Sequence, residues 1–370
     1  MDKYAQYPVE IKQAHFDKLI KYREQLRKEP ELTSLFIEMT LQCNEHCRHC
    51  GSRCEYTNGD APLTDFEIIQ TLIDLKEDLE LVKKPLPFLN ITGGEPLLRP
   101  NLIPLMKTIK KLGYNWGMTS NGTLITKEVA EQLKDAGIYS IGLSLDGLKE
   151  THDWFRQTQN GYEKVIDATK NCIDAGIDSV MLTTVVHKRN LGELSEIKKV
   201  VENVGCKLWR IINVDPIGRA SDNLDDILLN DDELRTMIKY IVDNQSDDPN
   251  ALEIIYSCNH YLGIEFERRM RSWYFLCGAG IKVASIQYNG NISACLDIER
   301  RSDLTFGNIR KDRFYHVWLN EFKIYRQDKS LLSEKCSNCK ERENCNGNGW
   351  HTWDFDINEP KMCLYEILHN

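Results

Sequence analysis

Short β-rich runs alternate with amphipathic helical segments over the first half of the chain. The runs LFIEMT (35–40), FLNIT (88–92), NWGMTS (115–120), YSIGLSL (139–145), SVMLTTVV (179–186) and LWRIINV (208–214) read as six strands. Helical patterns fill the gaps: Asp65 to Leu81 behind Thr64 as N-cap, Thr126 to Ala136 stopped by Gly137, and Tyr162 to Ala175 stopped by Gly176. Such alternation gives an α/β fold with a parallel sheet, and six units build either an open doubly wound sheet or a partial βα barrel. In both, function sits at the C-terminal ends of strands.

After Asp215 the pattern changes to a polar linker (Ser221 to Asp232), a helical stretch to about Arg271, and a Cys-rich tail with a hairpin signal at Tyr288-Asn289-Gly290-Asn291. The expected organisation is an N-terminal helical extension over 1–34, a βα core over 35–220, a helical linker over 221–275 and a Cys-rich domain over 276–370. At 370 residues and 41% hydrophobic content, one large core with an appended module is within reach. The formal charge of −9 is spread along the chain and no Lys/Arg block forms a phosphate-binding stripe, which argues against nucleic acid as a partner. Met1 to Pro30 is charged throughout, without an apolar segment, so neither a signal peptide nor a membrane span is expected and the predicted location is cytoplasmic.

Thirteen cysteines in such a protein point to metal ligands or catalysis rather than disulfides. They fall in two groups, Cys43 to Cys54 and Cys277 to Cys363, with Cys172, Cys206 and Cys258 between; Cys172 and Cys206 lie in apolar surroundings and read as small buried hydrophobes. Cys43-x3-Cys47-x2-Cys50 directly follows the first strand. A structural zinc site wants four ligands, whereas a [4Fe–4S] cluster on three cysteines leaves one iron open for a small molecule. The second strand ends in Thr92-Gly93-Gly94-Glu95-Pro96, where two glycines allow close backbone approach to a ligand and Glu95 offers a carboxylate suited to a cationic amine. An ordinary tight turn is the alternative.

CNEHCRHC followed by GGEP at the end of the next strand resembles the radical S-adenosylmethionine (SAM) superfamily, over about residues 35–215. The resemblance implies a partial (β/α)6 TIM-like barrel in which Cys43, Cys47 and Cys50 hold a [4Fe–4S] cluster whose open iron chelates SAM. It further implies that His49 lies near the adenine and that Gly93, Gly94 and Glu95 meet the SAM amino group. By the same resemblance Ser120, Ser144 and Asp146 lie near the ribose and carboxylate, and Arg156 pairs with the SAM carboxylate. The tail resembles the SPASM extension of these enzymes, which carries auxiliary iron–sulfur clusters on seven cysteines. Cys277, Cys295, Cys336, Cys339, Cys345 and Cys363 match six positions, and Gly349 stands at the seventh. One or two auxiliary clusters are therefore expected. Cys336, Cys339, Cys345 and Cys363 complete the outer one, and Cys277 and Cys295 form an inner one short of a thiolate, for which Cys258 or His351 is the candidate ligand unless an open iron there binds a substrate thiolate or water. A pair of zinc knuckles is the alternative reading.

SPASM-bearing members mostly modify peptides or sulfatases, so the resemblance implies a precursor peptide as substrate and flavodoxin or ferredoxin as electron donor. The run Leu208 to Ala220 resembles the sixth strand of ribosomal-peptide maturases. With about 34 residues before the first strand, no leader-binding winged helix is expected there. Asp297, two residues beyond Cys295, is the candidate proton acceptor. A radical SAM dehydrogenase of a small molecule and a non-catalytic iron–sulfur or zinc protein are the competing readings.

Overall fold

A computed structural model describes residues 8–55, 60–256, 260–271 and 274–370. The six expected strands are all present: β1 (Ser34–Glu38), β2 (Phe88–Thr92), β3 (Trp116–Ser120), β4 (Ile138–Ser144), β5 (Ser179–Val186) and β6 (Leu208–Asn213). They lie parallel in sequential order, with registers such as Ile37↔Ile91 and Thr184↔Ile211. Helices α2 (Asp65–Leu81), α3 (Leu102–Lys111), α4 (Lys127–Asp135), α5 (Lys149–Arg156), α6 (Gly161–Asp174) and α7 (Leu194–Asn203) follow α1 (Val9–Lys28) and return the chain between strands. The helices bury apolar stripes against the strands: Leu72 and Leu75 of α2, Leu105 and Ile109 of α3, and Ile197 and Val201 of α7 share a core with Leu35, Ile91, Trp116, Leu143 and Leu182. Two of the buried indoles donate their N–H groups, Trp116 to Ala136 O at 3.1 Å and Trp209 to Thr184 Oγ1 at 2.8 Å.

Local signals explain the helix starts. Thr64 and Glu67 form a reciprocal capping box at α2, and Arg310 from the Cys-rich tail holds the Glu67 carboxylate at 2.6 Å, pulling it down to about 2. Thr126 caps α4.

Two strands depart from expectation. The segment 221–275, expected to be a helical linker, contains the helix Asp231–Asp243 and then β7 (Glu253–Tyr256), which pairs parallel with β6. In the tail, β8 (Val283–Ile286) pairs parallel with β1 before turning through the expected hairpin into β9 (Asn291–Ser293) and β10 (Gly307–Asn308). The sheet order is β10-β9-β8-β1-β2-β3-β4-β5-β6-β7, so the Cys-rich region is joined to the barrel through continuous hydrogen bonding. Helix α1 docks on the same region: Phe16 stacks edge-on to Tyr261 and Tyr274, and Arg23 donates to Glu343 O at 2.6 Å. No helix among the described residues is long and apolar enough to cross a membrane.

Candidate active site

The three-cysteine loop leaves β1 and is clamped from two sides. On one side, Gly94 N–H donates to Thr40 O and Glu95 N–H to Gln42 O, both at 2.8 Å. A Cβ at Gly93 would stand 2.4 Å from Thr40 O and one at Gly94 2.2 Å from Gln42 O. The glycines therefore serve backbone-to-backbone approach between the two strand ends, a demand that residue type alone did not distinguish from ligand approach. On the other side, Arg219 beyond β6 receives the loop: its N–H donates to Cys50 O at 2.8 Å and Nη1 to Cys47 O at 2.9 Å. Arg53 joins this clamp through Asp222, at 2.6 and 2.9 Å, and through Gly218 O.

Cys43, Cys47 and Cys50 are brought together, and Cys54 adds a fourth thiol 3.5 Å from Cys50 Sγ. Burial pushes the Cys47 thiol up, opposed by the Arg156 guanidinium 3.9 Å away. Three thiols on one loop, with backbone carbonyls turned away into the Arg219 clamp, fit a cluster held by three protein ligands.

Glu95 is fully buried. It accepts from Ser120 Oγ at 3.0 Å, Asn121 N at 2.9 Å and Leu97 N at 3.2 Å, yet burial outweighs these bonds and lifts its carboxyl to about 7. Ser120 thus holds Glu95, a position from which it orients the carboxylate. Ser144 lies half-buried at the end of β4.

Arg156, expected to pair with a SAM carboxylate, is buried between Glu45 Oε2 at 2.8 Å and Asp146 Oδ2 at 2.7 Å. Its charge is already balanced by two carboxylates, and Asp146, whose other oxygen accepts from Val185 N at 2.7 Å, is likewise committed. Together they form the floor beneath Cys47. His49, expected at the adenine, has one face stacked on Phe155 with centroids 4.2 Å apart, and desolvation lowers its pKa to about 3, so the ring is neutral at physiological pH. Glu45, Asn121 and Arg219 escaped the sequence reading because their partners lie far along the chain.

In the tail, Cys336, Cys339, Cys345 and Cys363 line one cavity of about 280 Å³. Backbone N–H groups of Glu341 and Asn348 donate to Cys339 Sγ and Cys345 Sγ at 3.4 and 3.2 Å, as expected of sulfurs that become thiolates. The donor set fits a fully ligated cluster. The inner site differs: Cys277 Sγ accepts from Trp350 N at 3.4 Å, and the cavity beside it, about 20 Å³ and lined by Tyr325, Lys329 and Trp350, holds roughly one water. Two thiols and this space do not fit a complete four-iron cluster among the described residues. Cys258 lies outside the described residues.

His351, expected as an inner-site ligand, has its Nε2 3.4 Å from Asp215 Oδ2. Asp215 stands two residues beyond β6, fully buried, and its other oxygen meets His260 Nε2 at 2.7 Å and Asn213 Nδ2 at 2.9 Å. Asn348 fixes the tautomer: its Oδ1 accepts from Tyr261 N, so Nδ2 donates to His260 Nδ1 at 2.8 Å and the His260 proton sits on Nε2, toward Asp215. Asp297 is exposed.

The radical SAM superfamily pattern matches residues 37–201, and SPASM, an iron–sulfur cluster-binding domain, matches 277–340. An AdoMet-dependent heme synthase of Oleidesulfovibrio alaskensis is 27% identical over 349 residues, covering 89% of this chain and 86% of that protein. The Fe-coproporphyrin III synthase of Methanosarcina barkeri is 26% identical, covering 84% and 81%. Among solved structures, Streptococcus suis SuiB bound to its precursor peptide SuiA superposes with a TM-score of 0.71 at 17% identity, over 94% of this chain and 78% of that one. The anSMEcpe enzyme with bound AdoMet and Cp18Cys peptide gives 0.66 at 21%, over 87% and 90%. With its three-cysteine loop at the mouth of a partial barrel and a cysteine-rich tail sharing the sheet, this chain belongs to the radical SAM superfamily and carries a SPASM domain, with a [4Fe–4S] cluster, SAM and one or two auxiliary iron–sulfur clusters as its cofactors.

Proposed function

We propose that the chain is a peptide-modifying radical SAM enzyme that takes a hydrogen atom from a residue of a precursor peptide and removes one further electron and a proton, leaving an oxidised or cross-linked product. The observation that carries this reading is the joining of the two redox sites in one body: the loop after β6, which carries Asp215, grips the three-cysteine loop through Arg219, and the tail that supplies four cysteines to the outer site also brings His351 to 3.4 Å from Asp215. When bound, the three-cysteine cluster supplies the electron that splits SAM into methionine and a 5′-deoxyadenosyl radical. Glu95 would hold the SAM ammonium, and the clamp of Gly94, Arg219 and Arg156 would keep the loop from shifting under it. Cys336, Cys339, Cys345 and Cys363 would hold the cluster that could accept the substrate's electron. For the proton we choose the His351 imidazole, 3.4 Å from Asp215, over Asp297, whose carboxylate is exposed. A small reduced flavodoxin or ferredoxin would prime the cycle.

The peptide class is supported by the fold shared with SuiB, which was captured on its precursor peptide. A second reading, oxidation of a porphyrin side chain, is favoured by the heme and coproporphyrin synthases among its sequence relatives. Anaerobic turnover with reductant and SAM separates the two. Candidate peptides from neighbouring reading frames should lose two hydrogens while iron-coproporphyrin III is left intact; the reverse pattern overturns the peptide reading.

A further inference from the structure

Four buried polar groups that find no hydrogen-bond partner belong to one stretch of the tail: Tyr325 Oη, Lys329 Nζ, His351 Nε2 and Trp353 Nε1. The lysine is the informative one. It is fully buried, and its ammonium stands 4.4 Å from the Trp350 ring centroid and 5.0 Å from that of Trp353. Aromatic faces return only part of the hydration such a charge has lost, and a buried ammonium needs an anion nearby. Among the described residues no carboxylate is paired with it. Lys329 lines one cavity with Cys277 and Cys345; burial pulls its pKa down to about 8, opposed by the thiols of Cys277, Cys345 and Cys336, while Arg27 acts alongside burial. Two of these thiols belong to the four-cysteine outer site, and an iron–sulfur cluster on four thiolates is a net anion.

We propose that Lys329 is the buried counter-cation of the outer auxiliary cluster, a positioning charge that raises the cluster's reduction potential so that it can take the substrate's electron. Taking one electron adds one negative charge beside the ammonium, and the reduced form gains more from it than the oxidised form. The electron comes from the substrate radical, which gives its proton to a base and becomes a closed-shell product. The inference rests on the outer site being the electron acceptor, but its test needs no substrate.

The full chain carrying Cys43→Ala, Cys47→Ala and Cys50→Ala keeps the auxiliary region alone and is reconstituted anaerobically with iron and sulfide. A dithionite titration followed by electron paramagnetic resonance then reads the midpoint potential. In this background Lys329→Met should keep the iron content and shift the midpoint downward, Lys329→Gln should shift it in the same direction, and Lys329→Arg should leave it near the parent value. An unchanged midpoint in either neutral variant that loads the parent amount of iron overturns the proposal, as does an equal downward shift in Lys329→Arg. Failure of every tested peptide to react, with the midpoint still falling, would sink the substrate reading and leave this one standing.

Discussion

The Glu95 carboxylate receives three donors and no cation, and in that environment its proton is held to about pH 7. A SAM ammonium would supply the missing charge and favour the ionised form. SAM affinity should therefore rise as pH increases through about 7 and level off above it, and Glu95→Gln should flatten the profile; equilibrium binding to the anaerobically loaded enzyme reads both. Losing the charge-assisted bond in Glu95→Ala should weaken binding by roughly 1.5–3 kcal/mol. The same raised carboxyl also bears on stability. A folded pKa above the unfolded value of about 4.3 stabilises the fold fully at acidic pH, and that contribution is lost as pH rises through about 7. Cys47→Ala should abolish reductive SAM cleavage, because a cluster left with Cys43 and Cys50 has lost one of three ligands; chromatographic detection of 5′-deoxyadenosine checks it. At this scale the sequence revealed Glu95 and the three cysteines through their spacing. The pairing of Arg156 with Glu45 and Asp146 was not legible, because these partners lie 111 and 10 positions away and no local pattern announces them.

Elements were legible where a local rule fixed them. The Thr64–Glu67 capping box, the glycine stops after α4 and α6, and the six β-rich runs each carry their own signal, and their boundaries agree with the structure to within two residues. Leu252-Glu253-Ile254-Ile255-Tyr256 was absorbed into a helical reading, since a four-residue strand is too short to declare a period and gains its stability from pairing with β6. Likewise, nothing local tells Val283–Ile286 to pair with β1, some 250 residues earlier; its partner is chosen by the sheet edge that β1 leaves open. The β6 loop shows how an element's end can serve a distant site. Gly218 has φ of +56°, and a Cβ there would lie 2.2 Å from Gly51 O and 2.4 Å from Cys50 O. Both are backbone atoms of the cluster loop and cannot swing aside. Gly218→Ala should lower iron loading at the three-cysteine site and slow SAM cleavage, whereas Gly192→Ala, with nothing within 4 Å of the added carbon, should leave both unchanged.

At the scale of the whole molecule, barrel and tail meet through a buried polar chain, His351–Asp215–His260–Asn348, that reaches from the end of β6 into the region after Cys345. Asp215 is held well below the usual carboxylate range: burial opposes ionisation, and the imidazoles of His260 and His351 overcome it. Its contribution to stability is present above pH of about 4 and is lost as pH falls further. The last prediction separates three roles for His351. As a cluster ligand, its removal would change iron content or the spectrum of an auxiliary site. As a purely structural link, its replacement by glutamine, which retains a side-chain amide to bond Asp215, would leave turnover near normal. As the proton acceptor, His351→Gln should keep iron content and SAM binding, continue to release 5′-deoxyadenosine, and lose product by about 10²-fold or more, because hydrogen abstraction precedes the step that needs the base. Product and 5′-deoxyadenosine measured in one anaerobic reaction, beside iron analysis of the same sample, distinguish these outcomes. Partial recovery of product on adding free imidazole to His351→Gly would tie the loss to the missing base, since a small base restores proton transfer but not a link between domains.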